Sequence, residues 1–598
     1  MNKQSYCHYK WLIFSLLIML GIGCKNAGDS GKQITLRLEP SVGNPRNSEG
    51  DFVQLIDGRI LFIYTHFTQG SGDNAGAYLA GRYSQDGGRT WSSKDVLIVP
   101  NEGDMNVMSV SLLRLDDGRI ALFYLRKNSE VDCIPYMRIS TDEAQAWSAP
   151  QRCIADSGYF VMNNDRVIQL QNGRILLPVS LHNTPETERS ARGRIMCYYS
   201  DDNAQSWQIS QEVPNPDEII VQEPGIIRLK NGDLMMFCRS NAGVQYITFS
   251  KDDGQSWSAI QPSNIKSPLS PASIERIPST GDLLLVWNDN YESSHGGGKR
   301  TPFNLAISRD DGKTWERQKT LESNPDGWYC YTAIEFIADH VLLAHCAGDR
   351  KKFNGLETTQ ITRLSSDWVY SEATPEPYVL SDNNGMVILE CPAEDAEIRY
   401  TLDRSMPSRS SLRYEKPIRV SKTTPLCMQA WQEGRPPSNI VSVSVGINVY
   451  QNPPQMYHDL KQGLAYAYYE GAVQEVADIE KHELIESGIW SDFSIKPRKR
   501  EENFAFIFSG YIRISRDGIY TFYLSSNDGS KLYLNDEELI YNDGPHGEQE
   551  NSNAIALRTG RYPITLKYFQ TGGEKALKVS WQGPQFNKTE IPDSVLFH

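Results

Sequence analysis

The side chains able to do chemistry in this chain fall into three sets: imidazoles, thiols, and carboxyl groups that could share a site with arginines. His66 and His182 each close an apolar run, LFIYTH and LLPVSLH. An imidazole there could act as a general acid or base near neutral pH, or make a hydrogen bond at a loop. Ten cysteines occur, and Cys133, Cys153, Cys197, Cys238, Cys330, Cys346, Cys391 and Cys427 are scattered singly, with no CxxC pair. No structural zinc is therefore expected, and the spacing leaves disulfides and buried free thiols both open. The formal net charge of −14 argues against a nucleic-acid surface, which needs a basic patch to displace counterions. An anionic ligand would need a local cluster of arginines. Taken singly, Glu223 reads as a solvated loop charge, Tyr329 as a rim aromatic, and Asp73, among glycines, as a turn former.

What must position these residues is a repeat. With 598 residues the chain is too long for one core, and 39% hydrophobic residues exclude general disorder. Five strings recur, SQDGGRTW from Ser84, STDEAQAW from Ser140, SDDNAQSW from Ser200, SKDDGQSW from Ser250 and SRDDGKTW from Ser308, spaced by 56, 60, 50 and 58 residues. Each follows an alternating or apolar run, so each reads as a strand, a tight polar turn, and a Trp returning to the core. A second periodicity is a hairpin of apolar strand, Gly-containing turn and apolar strand: FVQLIDGRILFIY, LLRLDDGRIALFYL, VIQLQNGRILLPVSL, IIRLKNGDLMMFC and IERIPSTGDLLLVW. AIEFIADHVLLAHC is a sixth without the Gly. Six hairpins, five followed by the Trp string, predict an all-β chain with six four-stranded blades closed into a β-propeller. If the strands of a blade are A to D, A starts, B ends and B–C loops share one face. That face carries the longer loops, where chemistry is expected.

The Trp strings resemble the Asp-box, or BNR, repeat of non-viral sialidases, and the resemblance covers residues 33–370. It implies an exported exo-α-sialidase that releases terminal sialic acid with retention, using an Asp acid/base, a Tyr nucleophile partnered by a Glu, and arginines gripping the sugar carboxylate. A neutral phenol suits this task because an anionic nucleophile would be repelled by the carboxylate on the anomeric carbon. GWYCYTAIEF resembles the family's tyrosine segment, with Tyr329 in the nucleophile's place and Tyr331 as its competitor. QEPGIIRLKNGDLMMFCRS resembles the segment giving Glu223 and Arg239, and KRTPFNLAISRDDGKTW the one giving Arg300. Asp73, in GSGDNAGAYLAGRYS, lies about where the acid/base falls. These residues all occur at A starts, B ends or B–C loops. The family's opening Arg-Ile-Pro is replaced by PRNSEGDF, where Arg46 could supply the first arginine, and Glu49 and Asp51 would oppose an anion. Arg126 and Arg166 are alternatives for that arginine. The departure opens a second reading, a propeller glycosidase or lyase for another acidic sugar. A third is a glycan-binding protein without catalysis.

Two attachments follow. EIRYTLDRSMPSRSSLRYEKPIRV resembles the small β-sandwich of chitobiases and hexosaminidases, giving a domain at 375–447. Residues 452–598 resemble a PA14 β-barrel, whose sugar-binding members hold calcium with an Asp-Asp pair, here Asn527-Asp528. No other cofactor is expected. At the N-terminus, WLIFSLLIMLGIG before Cys24 reads as an export signal over residues 1–23. It resembles a bacterial lipoprotein signal, with Cys24 acylated. The expected location is the cell envelope, lipid-anchored at the outer membrane or cell surface, with periplasmic or secreted forms as alternatives. The expected partners are sialylated or other acidic glycans, with membrane contact through the lipid alone.

Overall fold

The computed structural model of the protein describes residues 31–598 apart from 291–298, 353–354, 384, 448, 455–458, 546, 574 and 585. The signal at 1–23 and Cys24 lie outside the described residues. Among those described, no helix is long and apolar enough to cross a membrane.

Six antiparallel sheets form the blades. Their A strands are Asn47–Gln54, Asn106–Arg114, the pair Phe160–Val161 and Ile168–Gln169, Val221–Arg228, Ser273–Arg276 and Gly327–Ile337. Blade six takes its outermost strand, Lys32–Leu38, from the start of the described chain, where it pairs antiparallel with Thr359–Ser365. The A strands of blades one and six touch, so the ring is closed. Blade faces are lined by residues such as Leu61, Ile63, Leu122 and Tyr124, none with exposed surface, and the core lies between neighbouring blades.

The local chemistry explains the repeat. Where an A strand turns into its B strand, Gly58 and Gly118 take φ of +86° and +88°, a region that a Cβ penalises. The sixth hairpin places Ala338 at φ +52° in the corresponding turn. In the C–D turns, Ser84 Oγ donates to Asp86 Oδ1 at 2.9 Å and accepts from the Gly88 amide at 2.9 Å. The Asp86 carboxylate in turn accepts from the Thr90 amide at 2.9 Å. Ser and Asp meet at 2.8 Å in the other four copies. Each carboxylate therefore satisfies its own turn, and Trp91 returns to pack on Phe52 and Phe62.

Four A strands carry a bulge where they reach the axis. The ladder slips between Ser48 and Asp51, Met108 and Ser111, Gln222 and Gly225, and Cys330 and Ala333. In each slip one residue is left-handed: Glu49 at φ +54°, Ser109 at +59°, Glu223 at +52° and Tyr331 at +57°. That conformation costs a side-chain-bearing residue roughly 1–2 kcal/mol, and a bulge re-aims the side chain it carries.

Beyond a short helix at Ser366–Tyr370, two small antiparallel sheets pack around Val387, Leu389, Leu426 and Met428. The last module faces a seven-stranded sheet with a four-stranded one across an aromatic core that includes Phe504, Phe506, Phe522 and Trp581. It touches the propeller where Arg350 Nη2 donates to the Pro545 carbonyl at 2.9 Å. Here the Asp528 carboxylate accepts from the Thr571 amide and hydroxyl, both at 2.7 Å, and from Gln570 Nε2 at 3.2 Å. These donors make it a clamp on its own loop and fit a calcium ion poorly. Among the described residues no group of His, Cys, Asp or Glu side chains is arranged to hold a metal.

Candidate active site

All four left-handed bulge residues line one cavity of about 460 Å³ at the A-start end of the ring axis. Asp73 from the B–C loop of blade one, His182 and Arg189 from blade three, and Arg239 from the B strand of blade four also stand in its polar wall. Of the residues singled out from sequence, Asp73, Glu223 and Arg239 thus share the cavity. Tyr331 enters it as well, whereas Tyr329 does not.

Tyr329 is 5% exposed and wedged between blades five and six, stacked on Phe303 at 5.7 Å and edge-on to His345. The alternation of the strand would put residues 329 and 331 on one side, but the bulge between Cys330 and Ala333 breaks it. Tyr331 is only partly covered, and burial followed by the Glu223 charge pushes its phenol far above the ordinary tyrosine value. Arg300 and Arg239 pull the other way, so the same surroundings that keep the phenol neutral would stabilise its anion.

Glu223 lies against Arg239 at 3.3 Å, and Arg239 also donates from Nε to Gln222 Oε1 at 2.8 Å. One atom of each, Glu223 Oε2 and Arg239 Nη1, is buried with no protein partner. Such atoms ordinarily find partners in folded proteins, and both residues line the cavity.

Of the arginines singled out from sequence, Arg239 alone lines the cavity. Arg46, 1% exposed, bonds through Nη1 to Asp73 at 2.6 Å and through Nη2 to Glu49 at 3.0 Å. Its guanidinium also lies over Phe67. Two carboxylates and a ring therefore hold it behind the cavity wall. Arg300 lies behind Tyr331, 5.4 Å from its ring centroid and 5.0 Å from that of Trp328. Arg126 sits over Tyr136, outside the wall. Arg166 donates to the Ala272 carbonyl at 2.8 Å and lines a second cavity of about 300 Å³, together with Asp51, Asp165, Glu275 and Glu335.

The two carboxyls that share Arg46 are shifted in opposite directions. Burial, reinforced by Asp73 and Glu223, raises Glu49, and its Oε2 accepts from the Ser109 hydroxyl. Asp73 stands at the exposed mouth, where Arg46, Lys127 and Arg189 outweigh its own desolvation and lower it. His182 contacts the Ser190 carbonyl through Nδ1 at 2.8 Å and Ser180 Oγ through Nε2 at 3.2 Å, and burial holds its value down. Both ring nitrogens are thus engaged within the protein. His66 pairs with Asp95 at 3.2 Å and stacks on Tyr78, away from the cavity.

Sequence reasoning did not place Glu49, Ser109 and Arg189 in the wall. A signal for the first two exists. Glu49, Ser109, Glu223 and Tyr331 each precede the Asp or Asn of their A–B turn, at 57, 117, 231 and 339, by eight positions. That count selects Tyr331 over Tyr329.

Residues 82–343 match the BNR repeat-like domain, 381–442 the chitobiase/β-hexosaminidase C-terminal domain and 460–594 the PA14 domain. The chain therefore carries the three modules that its motifs resembled. Among curated proteins it is similar to a sialidase of Vibrio cholerae serotype O1, 24% identical over 271 residues, or 40% of this chain and 34% of the relative. The match thus spans about a third of that relative's length. Similar solved structures include the intramolecular trans-sialidase of Ruminococcus gnavus, at 14% identity, 58% of this chain and 99% of that one, with a TM-score of 0.45. A protein of unknown function from Dyadobacter fermentans is 17% identical over 56% of this chain and 100% of that one, also at 0.45.

Proposed function

We propose that the propeller is a retaining glycoside hydrolase that removes a terminal acidic sugar, with Tyr331 as nucleophile, Glu223 as the base that takes its proton, and Asp73 as acid/base at the cavity mouth. The observation that carries this reading is the entry of Tyr331 and Glu223, both on left-handed bulge residues, into the cavity that also holds Asp73 and Arg239. A resting phenol meets an anionic sugar without repulsion; as its oxygen attacks, the proton passes to Glu223, and Arg300 and Arg239 take up the developing charge. Arg239 and Arg189 are the guanidinium groups left to meet a substrate carboxylate. Sialic acid is the first sugar to test, given the sequence similarity to a sialidase.

One observation favours a different acidic sugar. Arg46, the candidate first arginine, is closed off by Asp73 and Glu49, and Glu49 presents a carboxyl to the cavity instead. A sugar that places a hydroxyl there and its carboxylate at Arg239 would suit this wall. Lipid attachment at Cys24 would hold the enzyme at the cell envelope, facing sialylated or other acidic glycans.

Fluorogenic α-sialosides and a panel of α- and β-uronosides, assayed side by side, test both readings. Release from sialosides that is lost in Glu223→Gln supports the first. Release from uronosides alone supports the second. No release from either panel removes the hydrolase proposal.

A further inference from the structure

The A and B strands of blade six set two thiols against each other beneath the cavity. Cys330 and Cys346 are directly opposed in the antiparallel ladder, each 1% exposed, and their thiols are within hydrogen-bonding reach of one another. Opposed residues of an antiparallel pair lie about 4.5 or 5.5 Å apart at Cα. Both spacings fall inside the range of about 4.4–6.8 Å that a disulfide spans. Among the described residues no other two of the eight cysteines face each other across a ladder. Cys197 stands opposite Pro178, Cys238 opposite Tyr246, and Cys133 opposite Lys127.

We propose that Cys330 and Cys346 are a modification site, joined as a cross-strand disulfide in the mature protein. The step is a thiol–disulfide exchange with a disulfide-bearing oxidoreductase or oxidised glutathione. One of the two thiolates attacks one sulfur of the partner and displaces the other; the second thiolate then attacks the first cysteine's sulfur in the mixed disulfide. Two S–H bonds and the partner's S–S bond are lost and one new S–S bond forms, and the two protons and two electrons pass to the partner's sulfurs, which leave as thiols. Both sulfurs are buried in the finished blade, so the exchange takes place before the blade has packed.

The position gives the bond a purpose beyond tethering. Cys330 and Cys346 form the last ladder pair before the bulge that aims Tyr331 at the cavity. A covalent link at that pair fixes where the register breaks. The inference does not depend on the hydrolase reading, because its primary readout is a mass.

Cells expressing the full chain with its own N-terminus are lysed into an alkylating reagent. The protein is then denatured without reductant, digested and mapped by mass. The expected result is a linked peptide pair containing residues 330 and 346, with Cys133, Cys153, Cys197, Cys238, Cys391 and Cys427 alkylated. Recovery of both Cys330 and Cys346 alkylated overturns the proposal, as does a link that appears only after the purified protein stands in air. Melting gives a second reading: dithiothreitol lowers the wild-type transition and leaves that of Cys346→Ser unmoved. Equal shifts in both proteins count against the bond. Should Cys346→Ser fail to fold, the wild-type peptide map decides alone.

Discussion

At the scale of single residues, two tyrosines separated by one cysteine meet different fates, and the difference is measurable. Tyr331→Phe removes the oxygen that would attack and should lower turnover by on the order of 10⁶-fold, the scale of losing a catalytic nucleophile. Tyr329→Phe keeps the stack on Phe303 and loses only a hydroxyl that lies outside the cavity. It should leave turnover within a few-fold and change denaturant unfolding by no more than about 1 kcal/mol. Reversed outcomes would restore Tyr329 as nucleophile. Alternation alone puts both tyrosines on one face, so local strings could not separate them; a bulge is a property of the ladder, and the ladder is written in two strands at once. Glu223 and Arg239 were legible because each lies in a distinctive string. The capture of Arg46 was not, since the Asp73 that bonds it stands 27 residues away.

At the scale of elements, the hairpins and the C–D turns were open to sequence because both are satisfied locally. A glycine takes the left-handed position, and a serine and an aspartate answer the amides of the next few residues. The sixth hairpin is the informative exception. Ala338 adopts φ +52° in a two-residue turn between Ile337 and His340. Ala338→Gly should remove that strain and stabilise the propeller by roughly 0.5–1 kcal/mol, read as a higher denaturant midpoint with unchanged slope. A lower midpoint would mean that the turn is held by its contacts rather than strained. Three bulge residues other than Tyr331 carry the same penalty, and there Gly would delete the side chain the cavity needs. Strain in those strands is thus tied to the site, and strain in the turn is not.

At the scale of the whole molecule, blade number follows from counting repeats, but what fills the far end of the axis does not. Asp51, Asp165, Glu275 and Glu335 come from blades one, three, five and six to a single cavity, with Arg166 and Arg276 beside them. Burial raises all four carboxyls, Glu335 to about 8. A carboxyl raised in the folded state contributes its stability fully below its unfolded value and loses it as pH climbs through the folded one. Melting temperature should therefore fall between about pH 4.3, the ordinary glutamate value, and about pH 8. Glu335→Gln should flatten part of that fall, and a profile identical to wild type would place the titration elsewhere.

Blade six, completed by Lys32–Leu38, imposes an order on biosynthesis. The segment made first must wait for Thr359–Ser365, made more than three hundred residues later, before it finds its neighbour. Removal of residues 32–38 should leave that late strand as a bare edge open to other copies, seen as light scattering on refolding. Until the ribosome has delivered both, the nascent protein is an open arc with two sticky ends. The exposure of those ends should stop abruptly when the later strand becomes available to its partner.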